Sequence, residues 1–161
     1  MRHRHILALR GVFAVALLLV APRAGVADQL FHTVRLPFIL TPDGAVAGHP
    51  VLRSGHVVDI HPNGPVNAAH ERYLLNGAKP HTAYDVVLRI FNDNCGGTPS
   101  SLDRLKTVTL TTDQHGNAQG KFDFPAGPPR PTPLFVGVRW TLVDANGVVA
   151  YDTDCITVGI D

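Results

Sequence analysis

An all-β, antiparallel sandwich of about eight strands, tied by one disulfide, is the fold this 161-residue chain predicts. Three observations predict it. Short runs of Val, Ile, Leu, Phe and Thr recur between Gly, Pro, Asn and Asp, and strands at such spacing without helices between them build sandwiches or barrels. Helix signals are scarce after residue 27: no stretch keeps an apolar period of 3.6, Glu71 is the single Glu, and Met1 is the only Met. The two cysteines, Cys95 and Cys155, form an even set in a chain that reads as exported, where a disulfide is the default.

Residues 1–27 read as a cleaved signal peptide. Arg2, Arg4 and Arg10 give a basic start, Val12 to Ala21 is an unbroken apolar run, and Gly25-Val26-Ala27 supplies the small residues a signal peptidase requires. The run is too short to cross a bilayer, which needs about 20 apolar residues. No Cys follows the cleavage site to carry a lipid, and no twin-arginine pattern is present. Cleavage removes four arginines and no acid, leaving 10 Lys and Arg against 13 Asp and Glu, a formal charge of −3 with His neutral. A mildly acidic domain over residues 28–161, without runs of Lys or Arg, predicts no nucleic-acid partner and no membrane insertion after cleavage. Its length suffices for one domain with a real core.

The earlier strands are expected at Leu30 to Leu40, His56 to His61, His70 to Leu75 and Tyr84 to Phe91. The last is apolar on both faces, as a central, doubly covered strand would be. Leu105 to Thr112 and Ala118 to Phe124 each alternate cleanly, with Val108 and Leu110 on one face of the first and Ala118, Phe122 and Phe124 on one face of the second. The Gly- and Asn-containing stretch between them, Asp113 to Asn117, predicts a hairpin. Val136, Val138, Trp140 and Leu142 alternate in the next strand, which turns at Asn146-Gly147 into a return strand from Val148 to about Val158. Pro125 to Pro133 is too proline-rich to pair in a sheet and reads as an extended connection. The expected core is Val86, Leu88, Ile90, Val108, Leu110, Phe122, Phe124, Val136, Val138, Trp140 and Leu142. The Cys95–Cys155 bridge is expected to join the end of the Tyr84 strand to the last strand.

Gly77-Ala78-Lys79-Pro80-His81-Thr82-Ala83-Tyr84-Asp85-Val86 resembles the turn-into-strand segment of fibronectin type III and related immunoglobulin-like modules. The resemblance implies an immunoglobulin-like antiparallel sandwich and gives Tyr84 the corner role, its hydroxyl bonding back to nearby backbone. In those modules the matching strand is the penultimate one, whereas 77 residues follow Tyr84 here. The resemblance therefore implies the sandwich and not the named module, and it implies no activity or cofactor.

Chemistry is thin in the sequence. The serines are Ser54, Ser100 and Ser101, none in G-x-S-x-G; Ser54-Gly55-His56 reads as a loop serine beside a surface histidine. The aspartates fall mostly at turns, so paired-carboxylate catalysis is not indicated. Asn92-Asp93-Asn94 with Asp103 offers oxygens for calcium but reads more simply as a turn. Seven histidines remain after cleavage: His32, His49, His56, His61, His70, His81 and His115. They read as scattered surface residues. The alternative is a periplasmic copper or zinc protein with a nucleus at Asp59 and His61, which share a strand face, joined by His70 from a neighbouring strand; His56, a further candidate ligand, would point to the opposite face of an ideal strand from His61. The functional expectation is a secreted or periplasmic non-enzymatic binding or structural module without a cofactor. Its partner would be an extracytoplasmic protein or glycan, met by the loops 91–105 and 124–134.

Overall fold

The computed structural model describes residues 32–61, 69–92, 95–125 and 134–160. The expected signal peptide, Asp93 and Asn94 of the oxygen-rich turn, and most of the proline-rich connection lie outside these residues.

Two antiparallel sheets stack face to face. The first has four strands in the order β1 (His32–Pro37), β3 (Ser54–His61), β4 (His70–Asn76) and β7 (Ala118–Asp123). The second runs β2 (Ile39–Leu40), β9 (Val149–Asp152), β8 (Leu134–Asp144), β5 (Ala83–Phe91) and β6 (Leu105–Thr111), with β10 (Ile156–Ile160) also on β8. The helix content of the described residues is α1 (Pro42–Val46), capped by Thr41, whose Oγ1 accepts from the Gly44 N–H at 2.9 Å. The all-β sandwich is thus the observed fold. It has ten strands because two expected strands are broken. The first crosses from one sheet to the other at Phe38, which is buried. The return strand is interrupted at Thr153, whose N–H bonds the Trp140 carbonyl at 3.0 Å while its Oγ1 accepts from the Trp140 N–H at 3.2 Å.

Alternation decides what each sheet buries. Leu36, Val57, Tyr73 and Leu75 point inward from the first sheet; Tyr84, Val86, Leu88, Leu110, Val136, Val138, Trp140 and Leu142 point inward from the second. All eleven expected core residues belong to this cluster or pack against it, with Ile90, Val108, Phe122 and Phe124 partly buried at its margin. The strand β5 is central, between β6 and β8. It is closed on one side only: its outward residues Asp85, Val87, Arg89 and Phe91 are half-buried.

The pair expected as a hairpin is different. The strands β6 and β7 do not hydrogen-bond to each other: β6 pairs with β5 and β7 with β4, so Thr112 to Asn117 arches from one sheet to the other. The local turn is as tight as expected, with the Asp113 carboxylate accepting from the backbone N–H groups of His115 and Asn117 at 2.8 and 2.9 Å. The strands meet through their apolar faces instead. Gly120 lies so close to Leu110 across the core that a Cβ there would sit 2.5 Å from the leucine side chain. Gly116, at φ +77°, packs on the backbone of Ala78, where a Cβ would fall 1.9 Å from the carbonyl oxygen. Two alternating strands and a Gly–Asn turn specify a reversal, but not whether the strands join edge to edge or face to face. Cys95 and Cys155 are bridged, with their Cα atoms 5.6 Å apart.

Candidate functional site

Three polar assemblies stand out, two inside the sandwich and one outside. The innermost follows from alternation on β3 and β4. Asp59 and Glu71 are direct cross-strand partners and both point inward, each 1% exposed. Glu71 accepts from the Trp140 Nε1–H at 2.8 Å and from the Tyr73 hydroxyl, which also contacts the Thr107 Oγ1 at 2.9 Å. Burial pushes the Glu71 carboxyl up to about 8; the Trp140 hydrogen bond opposes this, and the neighbouring Asp59 charge adds to it. Glu71 is therefore protonated at neutral pH. The chain's single Glu is thus a core residue, unlike the aspartates of the turns.

Asp59 and His61 do share a face, and their side chains meet at 3.1 Å (His61 Nε2 to Asp59 Oδ2). His56 and His70 do not join them, because even-numbered positions of both strands point to the opposite side. His70 bonds Asp123 at 2.9 Å on the outer surface, and His56 Nδ1 accepts from the Arg35 guanidinium at 3.1 Å. Among the described residues no three His, Cys, Asp or Glu side chains converge as metal ligands would.

The second assembly surrounds Tyr84, which is fully buried. Its hydroxyl bonds His49 Nδ1 at 2.9 Å and lies within reach of the Lys79 backbone, five residues upstream. His49 Nε2 reaches Asp144 Oδ2 at 3.0 Å. An ionised carboxylate only accepts, so Nε2 carries a proton toward Asp144 while Nδ1 faces the Tyr84 hydroxyl. Burial opposes charge on Asp144, yet the Val148 and Asn146 N–H groups and the His49 ring outweigh it and hold the carboxyl below its usual range. His49 is thus a core tether between the α1 connection and the β8–β9 turn, not a surface histidine. Asp103 is also engaged, holding Arg89 in a bidentate pair at 2.5 and 2.9 Å.

The third assembly is the outer face of the first sheet. Register places Arg35, Val58, Arg72 and Lys121 in one row across β1, β3, β4 and β7. The flanking rows bring Pro37, His56, Leu74 and Gln119 on one side and Thr33, Ile60, His70 and Asp123 on the other. Arg53 stands at the margin. Among the described residues these four cations, Arg35, Arg53, Arg72 and Lys121, meet one carboxylate, Asp123, which already holds His70 at 2.9 Å and Lys121 at 3.7 Å. Arg35, Arg53 and Arg72 have no acidic partner among the described residues. The second sheet's outer face is balanced: Arg89 with Asp103, Lys106 with Asp85 at 2.7 Å, Arg139 with Asp152 at 3.8 Å. A cationic sheet on a net-acidic domain was hidden in the sequence because its members are spread from residue 35 to residue 121.

Where β1 ends and β3 begins, this face hollows into an open cleft of about 460 Å³, lined by Arg35, Pro37, Phe38, Leu52, Arg53, Ser54, Gly55 and His56. The Ser54-Gly55-His56 segment is therefore a cleft wall. Comparison with protein-family models, with curated proteins and with solved structures finds no match to this chain.

Proposed function

We propose that this protein is an exported, non-enzymatic binding module whose recognition surface is the outer face of the four-stranded sheet, and that its partner is an acidic glycan. The observation that carries this reading is the row Arg35–Val58–Arg72–Lys121, in which, among the described residues, Arg35 and Arg72 have no acidic partner and Lys121 shares Asp123 with His70, on a domain of net charge −3 over residues 28–161. Such a row attracts anions locally while the rest of the surface repels them. Charges at intervals of one or two strand spacings, about 5 or 10 Å, suit a chain that repeats its own charge. The face carries no aromatic platform among its described residues, so neutral sugars gain little there. Export is supported by residues 1–27 of the sequence and by the disulfide. No described helix is long and apolar enough to cross a membrane.

A non-catalytic role is supported by the placement of the acids. Asp59 and Glu71 are enclosed, so no substrate reaches them in this conformation. The test uses the mature domain and dextran sulfate as the probe. Calorimetry should show binding that weakens with salt, falls about tenfold or more in the double variant Arg72→Gln/Lys121→Gln, and is absent with neutral dextran. Equal binding by the double variant, or no binding of dextran sulfate, would overturn the reading.

A further inference from the structure

We infer that the cleft between Arg35, Arg53 and His56 is an oxyanion site, built to hold one carboxylate, sulfate or phosphate group. The inference rests on the proposed binding role of this face and assigns its anchoring point. Here the surface is concave, and two arginines, Arg35 and Arg53, are among the residues that line it, with no Asp or Glu among the described lining residues. The planar fork of Arg matches the geometry of a two-oxygen anion. Ser54 and His56, both with side chains able to hydrogen-bond, belong to the same wall.

The Arg35–His56 contact makes the site pH-sensitive. The guanidinium only donates, so the His56 Nδ1 it touches at 3.1 Å is an unprotonated acceptor. Burial and then the Arg35 charge lower the His56 pKa. The charge that acts on this ring is Arg35 from β1, with Arg53 on the same cleft lining and Arg72 of β4 in the next outward row, two register pairs away; among the described residues no carboxylate acts on it. Protonating His56 in the empty cleft therefore sets cation against cation. An anion between them removes that repulsion and gains the imidazolium as a second charged donor. Anion binding and protonation of His56 must strengthen each other, so affinity rises as pH falls through the range where His56 takes up its proton.

The experiment follows the His56 ring resonances of the full mature protein by NMR during titration with sodium sulfate, sodium acetate and sodium phosphate, with ionic strength held by sodium chloride. The three salts separate the sources of the shared chemistry. Sulfate also serves for the pH series, since its charge is constant between pH 5 and 8. Expected are saturable shifts, tighter at pH 5.5 than at pH 7.5, weakened about tenfold by Arg35→Gln and unchanged by Lys106→Gln on the opposite sheet. Non-saturating shifts, or equal saturation in Arg35→Gln and Arg53→Gln, would overturn the site. If these salts fail to saturate while dextran sulfate still binds through Arg72 and Lys121, the cleft assignment falls and the wider binding face stands. If dextran sulfate fails too, both fall.

Discussion

Glu71 shows how one residue's role depends on a neighbour that lies outside its local sequence. The pattern His70-Glu71-Arg72 looks like surface, yet alternation with Tyr73 and Leu75 turns Glu71 inward, where Trp140 from the opposite sheet donates to it. Tyr73 and Leu75 were available as the signal; the partner on β8 was not. The consequence is a measurable pH dependence. Unfolded, Glu71 loses its proton near 4.5; folded, it keeps it until about 8. The folded state therefore binds more protons between these values, so the group's stabilisation is complete below about 4.5 and is lost as pH rises through 8. Glu71→Gln keeps an acceptor for Trp140 and cannot ionise. Urea unfolding across pH 5 to 9 should show wild type losing stability relative to this variant, by a few kcal/mol at the alkaline end. Parallel profiles would mean that Glu71 is ionised in the fold.

At the scale of elements, most strands were legible because each carries its own period-2 pattern, and the Asn146-Gly147 turn correctly joins β8 to β9. What sequence patterning left open was which strands pair. Placing β7 beside β6, as a hairpin would, puts Lys121 on the second sheet and dissolves the cationic row. The arch instead sends β7 to β4 and completes the row. Gly116 is the pivot, and glycine is required there twice over, by its backbone angle and by the Ala78 carbonyl against it. Gly147 has a similar angle, φ +80°, with open space around it. Gly147→Ala should thus cost about 1–2 kcal/mol, the left-handed penalty alone, whereas Gly116→Ala should cost clearly more because backbone must move. Thermal and urea unfolding of the two variants give the comparison. Equal costs would show that the arch tolerates displacement from Ala78.

For the whole molecule, the sandwich is a frame that sorts charge onto faces. Chain entropy assigns the Cys95–Cys155 bridge, across a separation of 60 residues, about 4 kcal/mol of stabilisation, a substantial share for one domain. Total charge was readable from composition, but its distribution was not. The figure of −3 for residues 28–161 describes an acidic domain, while the fold collects Arg35, Arg53, Arg72 and Lys121 on one sheet and pairs Arg89, Lys106 and Arg139 on the other. The loops 91–105 and 124–134, expected as recognition surfaces, are a different candidate; residues 126–133 lie outside the described structure. In the first loop the described backbone is drawn onto β5, with Asn92 N–H bonding Thr98 at 2.8 Å and Ser100 N–H bonding Ile90 at 2.9 Å. The two surfaces are distinguished most directly by amide NMR mapping of dextran sulfate binding to the mature domain. The account predicts perturbations at Arg35, His56, Val58, Arg72 and Lys121 and little change on β5, β6 and β8. Perturbations centred on residues 95–105, with the four-stranded sheet unmoved, would contradict it.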